Sequence, residues 1–500
     1  GIAEIRRAGF LYLLIAHVGA LAILLSFGVM QGGSWQFTFD AMRSAHLTPQ
    51  TAAVAFLLAL VGFGAKAGLV PMHVWLPEAH PAAPSPVSAL MSGVMLKTAI
   101  YGVLRVTFDL LGEPEWWWGL IPLGVGLFSA IYGVVFAAAQ TDMKRLLAYS
   151  SIENIGIIFA GFGLAIVFLG NGMPALGTLA LIALLYHCLN HAFIKSLLFL
   201  GTGAVLHSTG ERNLGRLGGL IHRMPWVAWL TLVGALAMAG LPPLNGFVSE
   251  WLLLQALLFS HDVPRPFVNM LLPMGAALVA LAAALAAYVM VKFFGVIFLG
   301  QPRERSLAGA HDAGVLERIG LAWLAAGCFA LGLLPTHVIG ALRSVVEQLT
   351  GAVLPPQTAP WWLLVPLPRS QVSYSAVIFL VAVAAVVLCT VVAVRLFYHG
   401  RVRRAAPWDC GFVRLDPRMQ DTAEGFGQPI RHIFQSFFGM QRELPSPFDK
   451  APRYRVTVTD RIWRGLYEPL AGLVQRVADA FAWLQQGRIS VYLLYSFLTL

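Results

Sequence analysis

Residues 176–206 read LGTLALIALLYHCLNHAFIKSLLFLGTGAVL. Crossing a bilayer core takes roughly 20 apolar residues in a helix, and this run is long enough. Yet it holds two histidines and a lysine: His187, His191 and Lys195, each four residues from the next. A step of four on an α-helix drifts by only about 40°, so the three share one face for about two turns. Each ionisable residue at the centre of a membrane helix costs roughly 2.5–3.5 kcal/mol on insertion scales. One histidine on an apolar face is most simply a hydrogen-bonded core residue. Three ionisable groups in a stripe point to a path for protons, because histidine titrates near neutral pH and a desolvated lysine gives up its proton more easily.

The rest of the chain has the same character. It has 500 residues, 58% hydrophobic and 12% charged, with a mean hydropathy of +0.73. Soluble domains carry about 25% charged residues. Further apolar segments lie near 10–30, 51–70, 86–107, 117–139, 146–169, 226–260, 269–300, 318–340 and 372–398, and another starts near 488. Strand-type alternation, the signature of a barrel, is missing. The expected fold is all-α and polytopic, with about 10–12 transmembrane helices. The net charge of +10 does not indicate nucleic acid. Arg6–Arg7, Lys144–Arg145, Arg212, Arg216 and Arg223, Arg303–Arg305 and Arg401–Arg404 fall on one side if each segment crosses once, and the opposite loop Asp109–Glu115 is acidic. Basic loops of this kind face the cytoplasm.

Two segments are interrupted alike. AGLVPMHVWLPE (67–78) and AGLPPLNGFVSE (239–250) share Ala-Gly-Leu-x-Pro, and each has a glutamate seven residues after the last shared proline. Pro71 in the first and Pro242–Pro243 in the second break their helices. Broken backbone at membrane depth is tolerated only within protein or beside water. Paired breaks in two halves indicate a transporter built from repeats, with an ion site near mid-membrane.

Other charges lie in apolar surroundings: Lys66 before the first break, Lys97 in ALMSGVMLKTAIYGVL, Glu250 after the second break, and Lys292 near the end of 269–300. Each has a plainer reading beside the proton-pathway one. Lys66 suits the capping of freed carbonyls, and Lys97 a structural ion pair. Glu250 suits a helix N-terminus, Lys292 suits snorkelling to the interface, and Lys144 suits the basic loop. His73, His80 and His207 lie near segment ends, where uptake or linking of protons and a purely structural role are equally open. HCLNH (187–191) is half a zinc motif without a third ligand nearby, so no metal site is expected. Cys188, Cys328, Cys389 and Cys410 lie far apart with neither disulfide nor cluster spacing. Phosphate-binding glycine loops and Ser–His–Asp patterns are missing too.

The organisation follows. Residues 1–300 form the transmembrane core, 301–398 add further membrane helices, and 399–487 make a cytoplasmic juxtamembrane segment with an amphipathic stretch near 461–485. A final span starts within 488–500. The chain opens without methionine and stops within an apolar run, as a piece of a longer protein would.

GAKAGLVPMHVWLPEAHPAAPSPVSALMSGVMLKTAIYGVLR (64–105), TDMKRLLAYSSIENIGIIFAG (141–161), LYHCLNHAFIKSLLFLGTGAVLHSTG (185–210) and AGLPPLNGFVSEWLLLQALL (239–258) resemble, in order, the antiporter-like subunit family. That family includes the large proton-translocating subunits of respiratory complex I, of Mrp-type Na⁺/H⁺ antiporters and of membrane-bound group 4 NiFe hydrogenases. The ENIGI of 153–157 and the tail segments PWDCGFVRLDPRMQDTAEGFGQP (407–429) and QQGRISVYLLY (485–495) are similar to its hydrogenase-4 and formate hydrogenlyase branch. The resemblance implies that Lys66, Lys97, Lys195 with His187 and His191, and Glu250 form a mid-membrane row carrying protons from the cytoplasm in one half of the protein to an outlet in the other. It implies a multi-pass subunit of the bacterial cytoplasmic membrane, with other membrane subunits and a peripheral redox arm as partners. That arm would hold the iron–sulfur clusters and a NiFe or flavin centre, and this chain no cofactor; Na⁺ in place of H⁺ stays open. One feature departs from the pattern. The family's glutamate that pairs with the residue matching Lys66 belongs to a helix that would precede Gly1, and Glu4 is a poor substitute; truncation or a split subunit is the expected reason. An antiporter independent of electron transfer and a non-conducting membrane anchor remain the alternatives.

Overall fold

Proline removes a backbone donor and clashes with the preceding turn, and the helices interrupted at Pro71 and Pro242–Pro243 organise the fold. The computed structural model describes residues 2–499 apart from 261, 353–358, 367–371, 399–407, 409, 412–414, 418, 454 and 485–486. Helix α1 spans Ala3–Met30 and α2 is a single turn, Phe39–Arg43. Helix α3, Pro49–Ala67, ends on Gly68, whose positive φ of 78° suits glycine. After the break comes α4, Trp75–Ala82. Residues Ser85–Leu110 form one continuous span: α5 (Ser85–Leu90), a π-turn (Met91–Met95), α6 (Leu96–Leu104) and a second π-turn (Arg105–Leu110).

Helix α7, Leu120–Ala139, extends a 3₁₀ turn, Trp116–Gly119, and is followed by α8, Met143–Leu169, and the 36-residue α9, Pro174–Thr209. The second break separates α10, Pro225–Met238, from α11, Asn245–Leu258. Helices α12, Pro266–Phe298, and α13, Val315–Leu333, complete the central bundle. Among the described residues nine helical spans are long and apolar enough to cross a bilayer, and the broken pair α10–α11 adds another. This matches the expected count. Leu21 and Leu24 on α1 and Trp323 on α13 are exposed; such apolar surface belongs against lipid or a partner subunit, not water.

The apolar segment expected at 318–340 is two elements. Pro335, which cannot continue a helix with normal bonding, starts the amphipathic α14, Pro335–Thr350, packed on α9 and on the outer π-turn of the 85–110 span. Helix α15, Ala376–Tyr398, follows. Helix α1 also starts earlier than its apolar run, and Glu4 in its first turn pairs with Arg212 at 2.8 Å. Arg212 also meets Asp142 at 3.0 Å, and Arg303 donates to the Leu217 carbonyl. These contacts gather the basic loops at one end of the bundle, as the charge pattern predicts. Arg43, Asp109 and Arg265 mark the opposite end. The expected Arg401–Arg404 lies outside the described residues.

Helices α7 and α8 approach closely along a glycine seam. Gly126 and Gly133 on α7 and Gly156 and Gly163 on α8 recur every seven residues, a spacing that keeps one seam facing its partner. A Cβ on Gly156 would sit 2.4 Å from Ala130 N, and one on Gly126 2.5 Å from Ala160 N. Only glycine lets the two backbones come so near.

Gly1–Gln428 forms one compact unit and Pro429–Leu500 another. Helix α16 spans Ala423–Ile433. The second unit holds an antiparallel hairpin that the sequence reading did not anticipate: β1, Phe438–Glu443, pairs with β2, Arg455–Asp460, from Phe438↔Asp460 to Glu443↔Arg455. The amphipathic stretch follows as a π-turn, Trp463–Tyr467, and α17, Glu468–Phe481. The apolar α18, Ile489–Thr499, begins where a further span was expected.

Candidate functional site

The α9 stripe forms as its spacing predicts. His187, His191 and Lys195 are all buried on one helix face. Between them they find partners on α6, α8 and α11. His187 Nε2 lies 3.0 Å from Asn154 Oδ1 on α8, and its Nδ1 lies 3.0 Å from Ser249 Oγ on α11. His191 Nδ1 meets Lys97 Nζ from α6. Lys195 Nζ donates to the Leu147 carbonyl of α8 at 3.0 Å. Burying an ammonium without partners costs several kcal/mol, and these contacts offset part of that cost.

Lys97 leaves the helix directly after the first π-turn and donates back into it, 2.6 Å from the Ser92 carbonyl. Turns of this kind recur at functional sites. Toward α11, Asn190 Nδ2 donates to Ser249 Oγ at 2.9 Å and to the Asn245 carbonyl at 2.8 Å. Ser249 precedes Glu250, which is also buried and whose Oε2 faces Gly240 in the second break. A row of polar groups therefore runs from Lys97 through His191 and Lys195 on one side and through His187 and Ser249 toward Glu250 on the other.

Two linking candidates lie between this row and the basic end. His80 on α4 is fully buried, stacked on Phe199 with ring centroids 4.7 Å apart. Among the described residues neither of its ring nitrogens has a hydrogen-bond partner, and the charges of Lys144 and Lys195 both act on it. Lys144 is not a solvated loop residue: it is 1% exposed and donates to the Ala83 carbonyl.

The remaining candidates fall elsewhere. Lys66 is exposed and faces a cavity of about 330 Å³ between α1 and α3, beside Tyr12, Gly19 and Trp75; it does not join the row. His73 is buried at the first break, with Nδ1 3.2 Å from the Pro71 carbonyl and its ring edge-on to Tyr132. His207 is exposed near His311. The Val70–Pro71 and Pro242–Pro243 bonds are cis. Lys292 corrects the snorkelling expectation: it is fully buried and donates to the Ala138 carbonyl at 2.7 Å and to that of Gln140. It holds the last carbonyls of α7, which have no partner within their own helix.

Asn154, Asn190 and Ser249 are uncharged and barely change local hydropathy, so charge alone does not reveal them. The sequence reading did not single out Glu153 either. That carboxyl is 2% exposed, its Oε2 has no partner among the described residues, and the charges of Lys195 and Glu250 act on it. Its signal is in ENIGI, an acidic residue just before the long apolar stretch of α8.

Known proteins resemble this chain over most of its length. Hydrogenase-4 component B of Escherichia coli strain K12 is 36% identical over 506 residues, covering 98% of this chain and 74% of that protein. Formate hydrogenlyase subunit 3 of the same organism is 34% identical, covering 80% of this chain and 63% of that one. A chain of the membrane-bound sulfane sulfur reductase, an archaeal respiratory membrane complex, shares the fold with a TM-score of 0.74 at 25% identity, over 99% of this chain and 76% of its own length. The family model for the NADH:quinone oxidoreductase/Mrp antiporter transmembrane region matches residues 3–264, which hold both breaks and the whole buried row; the chain belongs to this family of antiporter-like membrane subunits.

Proposed function

We propose that this chain conducts protons across the bacterial cytoplasmic membrane along the buried row, as a membrane subunit of a respiratory or hydrogenase-type complex. The observation that carries the proposal is the set of ionisable side chains joined across three helices: Lys97 with His191, Lys195 beside them, and His187 linked through Ser249 to the helix of Glu250. A scaffold gains nothing from burying so many charges, each with its insertion cost. Lys144 and His80 supply the link to the cytoplasmic surface, where the basic loops lie. Electron transfer belongs to partner subunits: a peripheral redox arm with iron–sulfur clusters and a NiFe or flavin centre, docked beside other membrane subunits. The transported ion is H⁺, for which a row of histidines and lysines is suited.

The test is proton uptake by inside-out membrane vesicles holding the whole complex, with electron transfer followed in parallel, in wild type, Lys195→Ala and Glu250→Gln. Loss of uptake with assembly retained is the expected result. Unchanged uptake in both variants removes the proposal and favours the anchor reading.

A further inference from the structure

Lys97 also begins a second polar stripe. Lys97, Tyr101, Arg105 and Asp109 stand four residues apart along the Ser85–Leu110 span, on one helix face. The stripe runs from the buried row to the end of the bundle opposite the basic loops. A cavity of about 260 Å³ follows it, lined by these four residues, by Cys188 of α9 and by Gln348 of α14. A water takes up about 30 Å³ in the liquid, so several fit. Lys97, Tyr101, Arg105 and Asp109 line one wall and Gln348 of the amphipathic α14 lines another, between apolar residues such as Leu104, Leu185 and Val345; the charged groups make the cavity costly to fill with lipid alone.

The outer end carries a cluster of ion pairs. Arg105 Nη1 lies 2.8 Å from Asp109 Oδ2, and its Nε and Nη2 donate to Tyr101 OH at 3.3 and 3.2 Å. Arg43 of α2 reaches the same carboxylate, with Nε 2.8 Å from Oδ1 and Nη2 3.0 Å from Oδ2. This is a bidentate contact, the stronger kind of ion pair. Asp109 is thus shared by two guanidinium groups. The turn that carries it, Arg105–Leu110, is π-helical.

We propose that this stripe and its cavity form a water-accessible path between Lys97 and the non-cytoplasmic surface, with the Arg43–Asp109–Arg105 cluster as the latch at its mouth. The inference rests on the reading of Lys97 as a proton carrier and adds the aqueous side from which it is reached. Lys195 is fully buried, whereas Lys97 is half-buried and lines the cavity. The path gives the Lys97 end of the row an aqueous contact with that side, and the latch sets how often that contact is open.

Cys188 in the cavity wall is a built-in reporter. With Cys328, Cys389 and Cys410 replaced by serine, the assembled complex is exposed in right-side-out and inside-out vesicles to charged, membrane-impermeant methanethiosulfonates, one cationic and one anionic. Modification of this chain is followed by mass spectrometry. Cys188 should react from the non-cytoplasmic side only, and Asp109→Asn should speed its reaction at least threefold. A second reporter, Ile100→Cys in a Cys188→Ser background, should behave alike. The proposal fails if both reporters stay unmodified from the non-cytoplasmic side even with Asp109→Asn, or react from the cytoplasmic side. Labelling needs no turnover, so its failure is distinct from that of proton conduction, which the Lys195→Ala flux measurement reads separately.

Discussion

Lys97 and His191 stand 94 residues apart in the chain and meet side chain to side chain, Nζ against Nδ1. The contact joins the span that follows the first break to the central helix of the bundle. Without it the α9 stripe would be a row of charges with no link toward the first half of the protein.

Replacing His191 by alanine should therefore uncouple the two lysines while leaving both in place. Proton uptake by vesicles should fall roughly 10²-fold, the low end of what a lost proton-transfer group costs. His191→Gln, which restores hydrogen bonding but does not titrate near neutral pH, should not rescue it. Rescue by glutamine would mean the contact is structural.

Asn154 orients His187 through its Oδ1. Asn154→Leu leaves a buried ring nitrogen without that partner, at a cost of about 1–3 kcal/mol. A lowered thermal midpoint of the purified complex is expected, together with slower proton uptake. An unshifted melt would show that His187 finds another partner.

Glu153 lies where the charges of Lys195 and Glu250 both act on it. Glu153→Gln keeps the shape and removes the charge. Proton uptake should fall in this variant, and Glu153→Asp should recover part of it. Equal uptake in both variants and wild type would assign the carboxyl to packing.

Lys292 serves as a contrast. Its bonds go to the carbonyls of Ala138 and Gln140 at the end of α7, away from the row. Lys292→Met should destabilise the complex by about 1–3 kcal/mol yet leave protons moved per electron unchanged. A fall in that ratio would place Lys292 in the pathway.

The α7–α8 seam gives a purely steric prediction. Gly156→Val forces a side chain into the Ala130 backbone 2.4 Å away, and overpacking of this kind costs about 1–3 kcal/mol or more. Gly124→Val meets nothing within 4 Å and should be silent. Steady-state levels of assembled complex, compared by immunoblot, separate the two; equal levels would mean that the helices move apart cheaply.

Much of this protein is written locally. The spans follow from apolar runs of bilayer length, and the two breaks follow from Pro71 and Pro242–Pro243. The polar stripe follows from a step of four, and the sidedness of the loops from where Lys and Arg cluster. These signals need no knowledge of distant residues, because the bilayer and the helix period act on a few turns at a time. For Lys66 and Lys292 these signals give depth in the membrane but not the direction in which each side chain faces.

Direction is what the tertiary structure decided. His187 faces Asn154 and Ser249, Lys97 faces His191, Lys292 faces the end of α7, and Lys66 faces a cavity beside α1. The uncharged members Asn154, Asn190 and Ser249 carry almost no hydropathy signal, and they matter only because packing brings them within 3 Å or so of a buried donor. Which pairs meet depends on how closely the helices approach, and that is set by seams such as Gly126 against Gly156, where residues remote in sequence must fit one another. Depth in the membrane is a property of one segment; contact is a property of two.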